Sequence, residues 1–230
     1  MNKLVLEVQN MVKEFNTPAG SFKALADVTF QAKKGEFIAI TGESGSGKST
    51  LLNLISGIDV PTTGIVKVND DPINEKDEEG RNRWRGKNVG IVFKFFQLIP
   101  TLTILENILL PMDFCNIIPR KDSVNRAKKL LKEFGISEQA DKYPFELSGG
   151  QQQRAAISRS LANNPSLIAA DEPTGNLDSK TSETVFGLFK SLQAEGKTII
   201  MVTHNLDMAK HCDRTIQLQD GKIVSDIVTR

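Results

Sequence analysis

Gly42-Glu43-Ser44-Gly45-Ser46-Gly47-Lys48-Ser49-Thr50 is the segment from which this chain is best read. A glycine, four free positions and then Gly-Lys-Ser is the pattern of a phosphate-binding loop. Glycines let the backbone adopt positive φ and come close to a ligand. Successive N–H groups then converge into an anion nest. A helix starting near Lys48 adds its positive N-terminal end. In this pattern Lys48 reaches the β- and γ-phosphates and the Ser49 hydroxyl ligates Mg²⁺. The flanks agree. Phe37-Ile38-Ala39-Ile40 reads as a short buried strand, and Leu51, Leu52, Leu54 and Ile55 as the buried side of a helix. Strand, loop and helix in that order give the pattern its meaning; a Gly/Ser surface turn would lack both flanks.

The 230 residues suit one large domain or a domain with a subdomain. Apolar residues make up 39% and charged residues 25%, the composition of a globular protein able to bury a core. A net charge of +1 gives no global field toward nucleic acid. No apolar run approaches a membrane span. Glu7 interrupts the apolar stretch of the first residues and no cleavage site follows, so a secretory signal is not expected and a cytoplasmic location is. Cys115 and Cys212 stand far apart in no metal-binding spacing, and both read as reduced thiols.

Along the chain, residues 4–15 and 25–31 have strand character, separated by the turn chemistry of Thr17-Pro18-Ala19-Gly20. Lys33-Lys34-Gly35 reads as a tight turn into Phe37. Pro61-Thr62-Thr63-Gly64 turns into a strand over 65–68, and 69–85 reads as an exposed, partly helical excursion holding Trp84. A short strand is expected over 89–93. From 102 to 161 the pattern is mostly helical, clearest in the face Val124, Ala127, Leu130, Leu131 and Phe134, with Asp122 as N-cap and Gly135 after its end. Strands return over 167–170 and 198–202, around an amphipathic helix of Val185, Leu188, Phe189 and Leu192 that ends at Gly196. Asp220-Gly221 marks a final hairpin. An α/β core is thus interrupted by a helical insertion.

Two further segments carry chemistry. Leu167-Ile168-Ala169-Ala170-Asp171-Glu172 is an apolar strand ending in two carboxylates. Asp171 suits the acid that holds a Mg²⁺ shell beside the phosphates, and Glu172 the general base that polarises an attacking water. Leu147-Ser148-Gly149-Gly150-Gln151-Gln152-Gln153-Arg154 places a Ser-Gly-Gly nest before a helical run. On physical grounds alone it could equally be a loop leading into a solvated, Gln-rich helix face.

At this segment the chain resembles the ATP-binding-cassette (ABC) family. Leu147-Ser148-Gly149-Gly150-Gln151 matches the family's signature letter for letter. The motif order also matches: phosphate loop, signature, Asp171-Glu172, Asn176-Leu177-Asp178, then His204 after the strand Thr198-Ile199-Ile200-Met201-Val202-Thr203. The resemblance covers nearly the whole chain. It implies an α/β P-loop NTPase of the ABC type, with an antiparallel β subdomain and an inserted helical subdomain. Residues 1–94 and 166–230 would form the core, and approximately 95–165 the helical signature subdomain. It also implies a head-to-tail homodimer in which each ATP lies between Gly42–Thr50 of one copy and Ser148, Gly149, Gly150 and Gln151 of the other. Lys48 would bind phosphates, Ser49 and Asp171 would serve Mg²⁺, and Glu172 would be the base. His204 would contact the γ-phosphate and Asp178 would lie at the dimer seam. Phe15 falls where the family stacks an aromatic on adenine, although a core phenylalanine is an alternative. His211 reads as a surface residue.

One position departs from the family. Lys94, in Phe93-Lys94-Phe95-Phe96-Gln97, stands where the family has a glutamine that touches Mg²⁺ or the attacking water and relays to the membrane partner. An ammonium cannot ligate a cation. It would swing to solvent or bind the γ-phosphate, and a slowed ATPase is expected. Gln97 is not expected to substitute.

Phe96-Gln97-Leu98-Ile99-Pro100-Thr101-Leu102-Thr103, Glu106-Asn107, Gln151-Gln152-Gln153-Arg154 and Glu172–Asp178 look like the MacB/LolD group, which includes the FtsE-type division proteins. That resemblance implies a separate permease with a large extracytoplasmic domain, and attachment of this chain to the inner face of the membrane through it. Phe95, Phe96, Leu98 and Ile99 would meet that permease or fill the core beneath the insertion. The main alternative is an ATP-dependent dimerisation switch with weak hydrolysis and no cargo. A nucleic-acid-linked ATPase is disfavoured by the near-neutral charge and by the lack of room between the motifs for a coiled coil or zinc module.

Overall fold

The computed structural model describes residues 3–18 and 20–229. Its centre is a six-stranded sheet in the order β10-β9-β3-β8-β7-β6. These strands are β3 (Phe37–Thr41), β6 (Val89–Phe93), β7 (Leu167–Asp171), β8 (Thr198–Val202), β9 (Arg214–Gln219) and β10 (Lys222–Val228). β6, β7, β8, β3 and β9 run parallel, and β10 returns antiparallel from the Asp220-Gly221 turn. Both faces of β3, β7 and β8 are covered, which explains why they read as unbroken apolar runs. Phe37, Ala39, Ile168, Ala170, Ile199 and Met201 pack on one face. Ile38, Ile40, Leu167, Ala169, Ile200 and Val202 pack on the other.

The second sheet is antiparallel, in the order β2-β1-β4-β5. It comprises β1 (Leu4–Thr17), β2 (Gly20–Lys33), β4 (Thr63–Val68) and β5 (Asp71–Pro72). Its inward side chains, among them Leu6, Val8, Leu25 and Val66, share a core with helix α1 (Lys48–Ile55). β1 and β2 are longer than the sequence pattern indicates. The register shifts between Val8 and Met11, and Asn10 and Asp27 both take left-handed backbone, at φ 46° and 59°. These bulges lie within the strands as read; most of the added residues, 16, 17 and 20–23, are the exposed tip of the hairpin, where no buried face imposes an alternation. Of the turn read at 17–20, Ala19 lies outside the described residues, and Thr17 pairs with Gly20.

Residues 69–85 are less exposed than expected. Helix α2 (Glu78–Asn88) places Trp84 in the core beside Ile73. Between β6 and β7 stand α3 (Ile104–Cys115), α4 (Arg120–Glu133) and α5 (Gly149–Ser160), with two short 3₁₀ turns between α4 and α5. After β7 come α6 (Ser179–Ala194) and, after β8, the single turn α7 (Leu206–Ala209). Asp122 is not the N-cap of α4. The helix begins directly after Pro119, whose carbonyl accepts from the N–H groups of Asp122 and Ser123, and Asp122 sits in the first turn, where an acid still suits the helix dipole. Gly135, at φ 64°, ends the helix as expected. Cys115 and Cys212 are both free thiols.

Candidate active site

The strand register brings the site together. Ile40 pairs with Val202, Val202 with Asp171, and Asp171 with Phe93. The C-terminal ends of β3, β8, β7 and β6 are therefore level, and the residues just beyond them converge. In an open parallel sheet this edge is where ligands bind.

The loop after β3 has the glycine geometry that its sequence demands. Gly42, Gly45 and Gly47 have φ of 144°, 79° and 100°. A Cβ on Gly47 would stand 2.7 Å from the Ala24 carbonyl oxygen, so both conformation and space exclude a side chain there. The Lys48 side chain is buried. Its Nζ donates to the Gly42 carbonyl at 2.9 Å and the Glu43 carbonyl at 2.6 Å, with Ser46 Oγ at 3.5 Å. The ammonium is thus fixed under the loop. Gly42, Ser44, Gly45, Gly47, Lys48, Ser49 and Thr50 line a hollow of about 470 Å³, closed on the far side by Glu172 and His204.

Phe22 and Ala24 also line this hollow, and the sequence reading missed them. Phe15 is not among its lining residues. It lies outside the core, 39% exposed, with Lys13 Nζ 4.9 Å from its ring centroid. Phe15 and Phe22 are register partners across β1 and β2, so their rings share one face of that ribbon. The signal available in the sequence was the spacing of the hairpin, which sets these two aromatics opposite each other.

The two carboxylates differ. Burial pushes the Asp171 carboxyl above its ordinary value, against a hydrogen bond from Ser49 and the charge of Lys48. Glu172 follows the strand in left-handed backbone, at φ 44°, its N–H donating to the Val202 carbonyl. Burial pushes its carboxyl up too, but hydrogen bonds from Lys94 and His204 outweigh that and hold it below its ordinary value. Lys94 Nζ is 2.5 Å from Glu172 Oε2, and His204 Nδ1 is 3.1 Å from Oε1. Lys94 does not swing out to solvent: it grips the carboxylate read as the base. Glu172 and His204 also border a second hollow of about 780 Å³ that reaches Phe186, Lys190 and Met208. His211 is exposed on its rim.

Ser148, Gly149 and Gly150 line a separate hollow of about 380 Å³ with Asn176, Leu177 and Asp178, and share no lining residue with the phosphate-loop hollow. Ser148 is the N-cap of α5. Its hydroxyl accepts from the Gln151 N–H, and Gln151 Oε1 accepts from the Ser148 N–H at 2.9 Å, a capping box. Asp178 caps α6 by accepting from the Thr181 N–H at 3.0 Å. Within one chain the structure thus brings together Lys48, Ser49, Asp171, Glu172 and His204, and leaves the signature residues apart.

The apolar stretch after Lys94 divides. Phe95 is 72% exposed and Ile99 lies at the surface, while Leu98 packs on the core. Buried Asn107 ties this loop down, donating to the carbonyls of Ile99, Leu102 and Thr103 and accepting from the Ile99 N–H.

Residues 25–175 match the family profile described as ABC transporter. An uncharacterized ABC transporter ATP-binding protein of Mycobacterium tuberculosis is 48% identical over 96% of this chain and 89% of its own length. The lipoprotein-releasing system ATP-binding protein LolD of Aquifex aeolicus is 41% identical over 97% of each chain. Among solved structures, the dimeric post-hydrolysis state of the ATP-binding cassette MJ0796, bound to ADP and Pi, superposes with a TM-score of 0.90 at 41% identity, covering 98% of this chain and 99% of that one. With its phosphate loop, its strand-end carboxylates and these likenesses, the chain belongs to the ABC transporter family and is an ABC-type ATPase.

Proposed function

We propose that this ATPase works as a head-to-tail dimer that drives a separate membrane permease of the MacB/LolD type. The observation that carries the dimer is the division of the site: the phosphate-loop hollow and the signature hollow lie apart in one chain. A second copy, turned about a two-fold axis, would complete both sites at once. The dimeric state of the MJ0796 relative supports this reading. Among the described residues no helix is long and apolar enough to cross a membrane, so attachment to a membrane would come through the permease. The likeness to LolD supports that branch. The exposed Phe95, and the groove lined by Leu110, Pro111 and Phe114 between the core and the helical insertion (approximately 95–165), would offer the permease apolar contacts.

In this reading the residues act as follows. Gly42–Thr50 would cradle the phosphates, Lys48 would hold the β- and γ-phosphates, and His204 would touch the γ-phosphate. Phe15 and its partner Phe22 would offer rings to the adenine. Ser49 and Asp171 fit a Mg²⁺ ion. They are oxygen donors already hydrogen-bonded to one another, and the raised Asp171 carboxyl marks a buried charge that a cation would relieve. When bound, Mg²⁺ would neutralise charge on the phosphates. Glu172 would take the proton of the attacking water, and Lys94 would slow that step.

A second reading is favoured by the Lys94–Glu172 pair: a dimerisation switch with weak hydrolysis and no cargo. One experiment separates the two. A photo-crosslinker placed at Phe95 or Leu98 is activated in membranes, and ATPase activity is measured with and without the captured partner. A crosslink to an integral membrane protein that stimulates turnover supports the transport reading. Nucleotide-dependent dimerisation without stimulation supports the switch.

A further inference from the structure

Lys94 and Glu172 follow register-paired residues, Phe93 of β6 and Asp171 of β7, so they stand side by side beyond the sheet edge. Lys94 Nζ holds Glu172 Oε2 at 2.5 Å while His204 Nδ1 meets Oε1 at 3.1 Å. Each carboxylate oxygen thus already faces a donor. A base must come within about 3 Å of the water whose proton it takes.

The lysine is seated by the segment that follows Glu172. Asn176 Nδ2 donates to the Lys94 carbonyl at 3.0 Å. The Lys94 stem lies over Gly175, where a Cβ would stand 2.9 Å from Lys94 Cε and 3.2 Å from Glu172 Oε2. Asn176 and the next two residues, Leu177 and Asp178, then line the hollow of Ser148, Gly149 and Gly150. The ion pair is therefore joined by three consecutive residues to the surface on which a second copy would close.

We propose that Lys94 is a restraining residue of this ATPase. Its ion pair with Glu172 must open before Glu172 takes a proton from water, and the segment 175–178 makes that opening respond to a second copy of the chain docking at the signature hollow. This rests on the reading of Glu172 as the base. In the step that is restrained, the proton of water passes to Glu172, the water oxygen bonds to the γ-phosphorus, and the bond from phosphorus to ADP breaks.

The test is steady-state ATPase of the full chain with Mg-ATP for wild type, Lys94→Gln, Lys94→Met and Glu172→Gln, with mant-ATP titration to read nucleotide affinity. Asn176→Ala is measured alone and combined with Lys94→Met. A partly buried ion pair suggests a kcat about three- to tenfold higher in both Lys94 variants, with nucleotide affinity unchanged. Asn176→Ala should raise kcat only where Lys94 is present, a non-additivity that a purely structural role would not give. Unchanged or lower kcat in both Lys94 variants, with Glu172→Gln silent, overturns the restraint and leaves the base in place. An equal effect of Asn176→Ala with and without Lys94 overturns the coupling to the seam. Turnover that survives Glu172→Gln overturns the base itself, and the restraint with it.

Discussion

Asp171 and Glu172 are neighbours with opposite electrostatics, and the difference is measurable. The Asp171 carboxyl lies above its ordinary value, so its charged form is disfavoured in the fold relative to the unfolded chain. Asp171→Asn removes that charge yet still accepts from Ser49. It should raise the melting temperature of the nucleotide-free chain at neutral pH by about 1–2 °C, while Mg²⁺-dependent turnover is lost. The gain should shrink as pH falls through the Asp171 pKa, because the acid is then neutral as well; calorimetry across a pH series reads this. Glu172 has the reverse sign. Its lowered pKa contributes stability above the unfolded value, lost as pH falls through the folded one. Acid should therefore weaken the fold through Glu172 below its ordinary carboxylate value, whereas the Asp171 effect fades above its own. The phosphate loop gives a steric counterpart. Gly47→Ala forces a Cβ against the Ala24 carbonyl at positive φ, and nucleotide affinity in a mant-ATP titration should fall at least about tenfold. Expectations for these residues could be drawn from sequence because each motif is local. The Lys94–Glu172 pair was not, because two positions 78 residues apart meet only through the β6–β7 register.

Elements show where periodicity ran out. The central strands β3, β7 and β8 were readable almost residue by residue, since unbroken apolar runs of four have few other uses. β1 and β2 were cut short in the reading because most of the missed residues, 16, 17 and 20–23, form the exposed hairpin tip, where no buried face imposes an alternation. The start of α4 was misplaced because the N-cap position is held by Pro119, which has no side chain that can cap and so carries none of the usual capping signal. The loop after β6 depends on an element that no local pattern connects to it. Phe96 and Gln97 both sit in left-handed backbone, at φ 59° and 50°. The Arg159 guanidinium, from α5, donates to the Gln97 carbonyl at 2.5 Å and the Phe96 carbonyl at 2.9 Å. Arg159→Ala should leave both carbonyls without that partner and cost about 2 kcal/mol, seen as a melting temperature lower by about 5 °C. Arg159→Lys should recover less than half of the loss, because a single ammonium cannot span both carbonyls as the planar fork does.

At the scale of the whole molecule the question is whether two copies share each site. The fold sets the phosphate-loop hollow and the signature hollow apart in every chain. Two defects in different hollows should therefore complement each other. Lys48→Met removes the ammonium that its loop holds in place, and Gly149→Asp sets a side chain and a negative charge in the signature nest. Each variant alone should be inactive. Mixed in equal amounts, half of the dimers pair one of each, and every such dimer has one site built from the intact cradle of one chain and the intact nest of the other. ATPase activity should then recover to about a quarter of the wild-type rate, and turnover of the wild type should rise more than linearly with protein concentration where the dimer dissociates. A mixture no more active than its parts, although mass measurement shows the mixed dimer formed with ATP bound, would mean that each chain completes its own site.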